Sequence, residues 1–292
     1  MRRALSWLLA LILIGVGAGL WLTRPDRLPE STLAGLDADA ARGAQVFAAA
    51  GCASCHVAPG AESAEAPVLA GGQRFASPFG TFLAPNISPH PEAGIGAWSD
   101  HEIAQAVLRG VSPEGAHYYP AFPYGTYARA TPQDVADLIA HLRTLPESDA
   151  ASLPHEVGFP FSIRRGLGLW KLLFLDDGWV QPAEGPEAER GRYLVEALAH
   201  CAECHTPRNA LGGLDRSRWL SGAPHPAGEG RIPDITSAGL DWSAEAIAEY
   251  LKSGFTPEFD TAGGEMAAVV RNTARLTDAD RLAIARYVKA VE

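Results

Sequence analysis

Two short motifs contain every cysteine of this 292-residue chain, and they constrain its fold more than any other feature. Residues 52–56 read Cys-Ala-Ser-Cys-His, and residues 201–205 read Cys-Ala-Glu-Cys-His. Each has the C-x-x-C-H spacing that attaches a c-type haem. Two thiols about one helical turn apart can both bond to one porphyrin, and the histidine that follows is then held beneath the iron. The sequence therefore predicts two covalently bound haem c groups, attached through Cys52, Cys55, Cys201 and Cys204, with His56 and His205 as proximal iron ligands.

Other uses of paired cysteines agree less well with this pattern. Paired cysteines that bind zinc usually lie about 15–20 residues apart, whereas Cys55 and Cys201 are much further separated. Thioredoxin-like motifs lie in a βαβ context that the surrounding sequence lacks. Neither a zinc site nor a disulfide explains why a histidine follows both pairs.

The N-terminal segment carries a signal for crossing a membrane. The stretch from Ala4 to Leu22 is apolar apart from Ser6, and Arg2 and Arg3 precede it. Such a stretch is close to the thickness of a bilayer's hydrocarbon core, and the arginines favour a cytoplasmic N-terminus. We expect an uncleaved anchor within residues 1–30. The alternative is a signal peptide cleaved near residues 16–18 (Val-Gly-Ala). Both interpretations place the haem motifs across the membrane, where bacteria attach haem c.

The net charge of −10 limits the partners that this chain can bind. It argues against nucleic acid and against docking on anionic lipid through charge alone. A partner with a basic patch is compatible with it.

The two haem motifs introduce two similar halves of the sequence. Gly43 and Gly191 begin similar apolar segments ahead of the cysteines, and Trp98-Ser99 is echoed by Trp242-Ser243. Three further similarities follow the motifs: residues 69–71 with 220–222, 85–88 with 233–236, and the glycine stops at 110 and 254. Each half then ends in a helix that a threonine caps, at Thr131 and Thr277.

These patterns predict a mainly α-helical fold with two haem-bearing domains in tandem. Strand signals are sparse, and the helix starts include a capping box at Ser99 and Glu102. We expect the first domain at residues 31–150, an apolar linker at 151–184 and the second domain at 185–292.

A helix, a C-x-x-C-H motif, a long loop and a closing helix, present twice, resemble the class I cytochrome c fold. Residues 118–124 (Tyr-Tyr-Pro-Ala-Phe-Pro-Tyr) and 204–209 (Cys-His-Thr-Pro-Arg-Asn) make the tandem similar to the cytochrome c subunits of bacterial membrane-bound dehydrogenases. The resemblance implies electron transfer, a dehydrogenase or respiratory-chain partner, and haem domains in the periplasm at the inner membrane. Several of those subunits carry three haems, whereas this sequence has motifs for two.

The second half offers a distal iron ligand. Met266 lies eleven residues before Thr277, in the loop where the resemblance places the axial methionine. A thioether ligand raises the reduction potential. The alternative is a methionine that packs within a loop.

The first half departs from the family pattern at the corresponding position. Many relatives have Pro-Ala-Met-Pro-Tyr there, but this chain has Phe122, which cannot bind iron. The histidines of this half are His90, His101, His117 and His141. We favour His117, five residues before Phe122, as the distal ligand of haem 1. A five-coordinate iron and a ligand of another kind stay open.

Other residues have weaker predicted roles. Pro85 and Pro233 could line the haem edge or simply make turns, and Arg74, Arg208 and Arg231 could pair with propionates or be solvated. The apolar stretch 160–175 is predicted to form a helix packed between the domains. The alternative is an amphipathic surface for the membrane or for a partner subunit.

The sequence thus favours a membrane-tethered dihaem electron carrier over an enzyme. We find no Gly-rich nucleotide loop, no G-x-S-x-G motif and no further cysteine nucleophile in it. The rival function is that of a dihaem peroxidase with an open haem 1, because this half lacks the methionine.

Overall fold

The first helix, α1 (Arg2–Leu22), is exposed along its length, and it is the one helix among the described residues that is long and apolar enough to cross a membrane. A signal sequence meets the same criterion. The computed structural model describes residues 2–61, 65–228 and 230–292. The segment after α1 packs on the first domain, where the Leu28 backbone N–H donates to Gln105.

The first haem domain is built on two crossing helices. Its elements are α2 (Ala40–Ala49), α3 (Cys52–His56), β1 (Arg74–Ser77), β2 (Gly80–Leu83), α4 (Asp100–Arg109), α5 (Tyr124–Tyr127) and α6 (Pro132–Leu142). A Cβ at Gly43 would lie only 1.9 Å from the Asp137 carbonyl oxygen. Glycine therefore lets α2 approach α6 closely enough to bury Phe47 against Val135, Leu138 and Ile139.

The second domain repeats this arrangement. Its elements are α8 (Pro186–Tyr193), a π-helical turn (Leu194–Leu198), α9 (Cys201–His205), β3 (Ala223–Pro224), β4 (Arg231–Ile232), α10 (Ala244–Ser253), α11 (Gly264–Thr273) and α12 (Asp278–Ala290). Gly191 plays the part of Gly43, since a Cβ there would lie 2.3 Å from the Ala283 carbonyl oxygen of α12. Within the described residues, each domain also has one two-stranded antiparallel hairpin, β1–β2 or β3–β4.

The helix boundaries predicted from capping residues are confirmed. Ser99 and Glu102 form the capping box of α4, and Thr131 and Thr277 accept hydrogen bonds at the starts of α6 and α12. Gly110 and Gly254 end α4 and α10 in the left-handed conformation. The mainly helical fold class is correct, although the two hairpins were not predicted.

The linker forms a short helix that touches both domains. This helix, α7 (Leu167–Phe174), is preceded by a 3-10 turn at Arg164–Gly166. Lys171 donates to Arg109 and Gly110 of the first domain, and the Trp170 indole N–H donates to Leu211 of the second, at 2.9 Å. The buried apolar residues of the two halves form one contiguous cluster. The predicted packing of this helix against both domains is therefore observed, although one of its faces stays exposed.

Candidate haem sites

Both cysteine motifs fold into the same one-turn helix. The helices α3 and α9 contain only the motif residues, and the residue before each is left-handed, with φ of 65° at Gly51 and 44° at His200. This left-handed residue separates the motif helix from the helical segment before it. The two cysteines and the histidine of each motif are thereby held on one helical turn.

The histidine of each motif is oriented by a proline carbonyl. His56 Nδ1 lies 2.9 Å from the Pro85 oxygen, and His205 Nδ1 lies 2.8 Å from the Pro233 oxygen. A carbonyl oxygen can only accept, so Nδ1 carries the hydrogen and Nε2 keeps its lone pair. Burial lowers the pKa of both imidazoles, which favours the neutral form that binds iron.

The cysteines fit thioether attachment better than thiolate chemistry. Desolvation raises the pKa of Cys52 and of Cys201 to about 12, so these positions disfavour a negative sulfur. A thioether is uncharged and suits such a place. All four cysteines are free, and the described residues contain no group of three or more His, Cys, Asp or Glu side chains that could hold a metal ion. The residues present therefore fit a covalently held haem at each motif.

Residues in and beside the two motifs make contacts across the domain boundary. The buried carbonyl of Ala50, just ahead of the first motif, lies 2.8 Å from the Tyr127 hydroxyl and 3.2 Å from His200 Nε2 of the second domain. Ser54, inside the first motif, accepts a 2.6 Å hydrogen bond from Asn272 of α11. We call these five residues, Ala50, Ser54, Tyr127, His200 and Asn272, the motif joint.

A further contact extends the motif joint on the other side. Glu203, between the cysteines of the second motif, accepts a 3.3 Å hydrogen bond from Thr126 of the first domain. Both attachment turns are thus held against the neighbouring domain by polar contacts.

Met266 lies in the first turn of α11, whereas the sequence placed it in a loop. The glycines at 263 and 264 start this helix, and Met266 is partly buried against the apolar core. The same helix reaches the first motif through Asn272. Met266 is therefore held by a structured element that connects both domains.

His117 occupies a buried place at the end of α1. Its Nε2 lies 3.0 Å from the Thr23 carbonyl oxygen, its own carbonyl accepts a hydrogen bond from Arg164, and its Nδ1 is buried without a hydrogen-bond partner. Burial is the main cause that lowers its pKa. Iron ligation by His117 would therefore use Nδ1 or break the contact with Thr23.

The other histidines of the first domain have local roles. His90 Nδ1 accepts hydrogen bonds from the backbone of Glu92 and Ala93, and His141 packs on Phe47 with ring centroids 5.1 Å apart. His101 lies 3.7 Å from Glu30. Phe122 packs among aromatic rings, with neighbours at Tyr118, Tyr124 and Tyr127.

Two of the three arginines suggested for propionates are paired with acidic groups. Arg74 pairs with Glu156, and Arg208 pairs with Glu203. Arg231 is exposed on β4. Pro85 and Pro233 gain a definite role instead, because their carbonyls orient the motif histidines.

Sequence reasoning missed His200 and the buried carboxylate of Glu196. Glu196 accepts hydrogen bonds from the Val180 and Gln181 backbone and from the Tyr287 hydroxyl, the last at 2.6 Å. It ties the linker to α12. The one available signal was a histidine, at position 200, where the first half has a glycine.

Comparison with known proteins assigns the fold. The cytochrome c family model matches residues 40–146 and 188–292, the segments that contain the two motifs. A protein named diheme cytochrome c-type from Cereibacter sphaeroides is 58% identical over 292 residues, covering 100% of this chain and 99% of that protein.

Cytochrome subunits of dehydrogenases are also similar. The fructose dehydrogenase cytochrome subunit of Gluconobacter japonicus is 38% identical over 86% of this chain, and the cytochrome c subunit of alcohol dehydrogenase (quinone) of Gluconacetobacter polyoxogenes is 35% identical over 87%. The chain covers 52% and 57% of the length of those two proteins. Taken with the two motifs, these matches show that the chain belongs to the cytochrome c family, as a tandem protein with two covalently bound haem c groups.

Proposed function

We propose that this chain is an electron carrier tethered by α1 to the inner membrane, with both haem domains in the periplasm. It would accept electrons from a dehydrogenase or a quinol-oxidising complex and pass them to a soluble cytochrome, an oxidase or quinone. The relatives whose names specify dehydrogenase subunits support the first partner. We assign the anchor and stalk to residues 1–30, the domains to 31–150 and 185–292, and the linker to 151–184.

The site residues have the following proposed roles. Cys52 and Cys55 attach haem 1, and Cys201 and Cys204 attach haem 2. His56 and His205 bind the irons through Nε2, the nitrogen that the proline carbonyls leave free. Each haem supplies an iron that alternates between the ferric and ferrous states.

Distal ligation is proposed to differ between the domains. Met266 serves haem 2, and its thioether favours ferrous iron. His117 serves haem 1 through Nδ1, the buried nitrogen without a hydrogen-bond partner. A bis-histidine haem lies at lower potential than a His/Met haem, so electrons would run from haem 1 to haem 2.

The motif joint is the observation that carries the proposal. The residues that precede the two attachment turns meet through Ala50 and His200, and the first turn contacts α11 through Ser54 and Asn272. Electron transfer between two redox centres needs them held at a fixed separation. The joint supplies that fixed separation.

The purified full-length protein tests this function. We expect a mass excess of two haems, two one-electron steps in a redox titration, and fast reoxidation by an oxidised soluble cytochrome c. Cys201→Ala/Cys204→Ala should lose one haem, and the matched Cys52→Ala/Cys55→Ala should lose the other. A high-spin ferric haem with rapid turnover of hydrogen peroxide would reject the carrier in favour of the peroxidase.

His117→Ala tests the distal ligand of haem 1 separately. We expect the spectrum and the potential of haem 1 to change while those of haem 2 do not. An unchanged spectrum together with a lowered unfolding midpoint would show that His117 serves only the contact with Thr23.

A further inference from the structure

One apolar surface on the linker is largely exposed, although the Phe161 ring contacts Phe79 with ring centroids 5.0 Å apart. It consists of Phe159, Phe161 and Ile163 in the loop before α7, and of Leu169, Leu172 and Leu173 on α7 itself. All six side chains are exposed, Phe159 at 84%. We call these six residues the linker face. A group of exposed apolar side chains of this size is typical of an interaction site.

The helix α7 buries its charged side and exposes apolar side chains, the opposite of an ordinary surface helix. Its charged residue, Lys171, is buried and donates to the Arg109 and Gly110 carbonyls at 2.6 and 2.8 Å, while three leucines point outward. The Lys171 ammonium also lies 4.5 Å from the centre of the Tyr124 ring. These contacts fix the rotation of α7, so the leucines are held outside by the packing of the opposite side.

The position of α7 is fixed relative to the end of α1. A Cβ at Gly168 would lie 2.3 Å from the Thr23 carbonyl oxygen, so only glycine allows α7 to approach the chain this closely where α1 ends. Arg165 donates to the Leu20 carbonyl and, at 3.1 Å, to the Thr23 hydroxyl. His117 contacts the same Thr23 carbonyl from the first domain.

The depth of this junction in a bilayer follows from the length of α1. Twenty-one residues at about 1.5 Å each span the roughly 30 Å hydrocarbon core. Leu22 therefore lies at the outer boundary of the hydrocarbon, and Trp21 with Arg24 stacked 4.9 Å from its ring has the composition of an interfacial anchor. Since α7 touches Thr23, it lies at the same level.

We propose that the linker face inserts into the outer leaflet of the membrane that α1 crosses. The six apolar side chains would lie among the upper acyl chains, with the exposed Arg165, which contacts Thr23, at the interface above them. This inference rests on the proposed anchoring by α1. It adds a second attachment that holds the first haem domain against the membrane in one orientation, instead of on a flexible tether.

A spin label at Leu172 tests the proposal in the full-length holoprotein. The four native cysteines are used in haem attachment, so Leu172→Cys introduces the one thiol available for a nitroxide. Glu245→Cys, on the exposed surface of α10, is the matched control. Each labelled protein is placed in nanodiscs of phosphatidylethanolamine and phosphatidylglycerol, and nitroxide collisions with oxygen and with a water-soluble nickel chelate are compared. The saturation measured without either reagent is subtracted at each site, which removes the relaxation caused by the haem irons.

The expected result is an oxygen-to-nickel collision ratio several-fold higher at Leu172 than at Glu245. Equal ratios at the two sites, in protein that remains in the nanodiscs, would overturn the linker-face proposal and leave the anchor standing. Exclusion of both probes from Leu172 would indicate coverage by protein and would also overturn it. Protein that fails to enter the nanodiscs and whose mass lacks α1 would refute the anchor and the linker face together.

Discussion

Within the motif joint, the Ala50 carbonyl should behave as one acceptor that two donors share. The Ala50 carbonyl is buried and has two donors, the Tyr127 hydroxyl and His200 Nε2. Tyr127→Phe removes the first donor. His200→Asn removes the second and keeps a residue type that tolerates the left-handed backbone found there.

The two single variants should each lower the free energy of unfolding modestly. Removing one donor leaves the carbonyl with the other, so the loss is that of one hydrogen bond, about 0.5–1.5 kcal/mol. The double variant leaves a buried acceptor with no partner, which adds a desolvation penalty of about 1–3 kcal/mol. The double variant should therefore lose more than the sum of the singles, by at least about 1 kcal/mol.

Equilibrium unfolding in guanidinium chloride, followed by far-ultraviolet circular dichroism on the holoprotein, measures these differences. Tyr127→Phe combined with His225→Asn is the control pair, because His225 contacts Glu265 and shares no partner with Tyr127. That pair should be additive within about 0.5 kcal/mol. Additivity of the Tyr127 and His200 variants would refute the shared acceptor and, with it, the joint as the element that fixes the two haem sites.

Three further outcomes are expected. Met266→Leu should abolish the thioether charge-transfer band and lower one of the two midpoint potentials, as seen in a spectroelectrochemical titration; retention of the band would place the ligand elsewhere. Asp137→Ala should lower the free energy of unfolding by about 1–3 kcal/mol, because this buried carboxylate accepts hydrogen bonds from Asp39 and Arg42. The Arg42 guanidinium lowers the pKa of Asp137, so the difference in stability between parent and variant, measured by urea unfolding, should be full above pH 4 and should shrink below it. Lys171→Met should also lower the free energy of unfolding by about 1–3 kcal/mol, whereas Lys252→Met, at an exposed position, should change it little. Burial lowers the pKa of Lys171 to about 7, so the stability of the parent should rise with pH between 7 and 10, and the variant should lose that rise.

Local signals in the sequence were sufficient to predict the helix boundaries and the fold class, because each signal depends on only a few neighbouring residues. Caps at Ser99, Thr131 and Thr277 and a stop at Gly110 depend on hydrogen bonds within one turn, so the residue type predicts the boundary. The cysteine motifs are equally local. Because the two halves of the sequence are similar, the elements predicted for the first domain could also be predicted for the second.

Features that depend on distant contacts could not be read from the sequence. The placement of His117 against Thr23 joins residues 94 positions apart, and the contact of Asn272 with Ser54 joins residues 218 apart. Met266 was expected in a loop because the resemblance places the axial methionine in the loop before the closing helix, yet it lies in the first turn of α11.

The residue before each motif explains why the two halves differ where they meet. Gly51 and His200 occupy the same place and are both left-handed, which glycine adopts freely and histidine only with strain of about 1 kcal/mol. The imidazole offsets that strain by reaching the Ala50 carbonyl of the other half. A Cβ at Gly51 would lie 3.5 Å from His200 Nε2, an ordinary van der Waals distance, so the two positions face each other across the domain boundary. The joint therefore combines a residue without a side chain in one half with a hydrogen-bond donor in the other, and this asymmetry distinguishes the two halves.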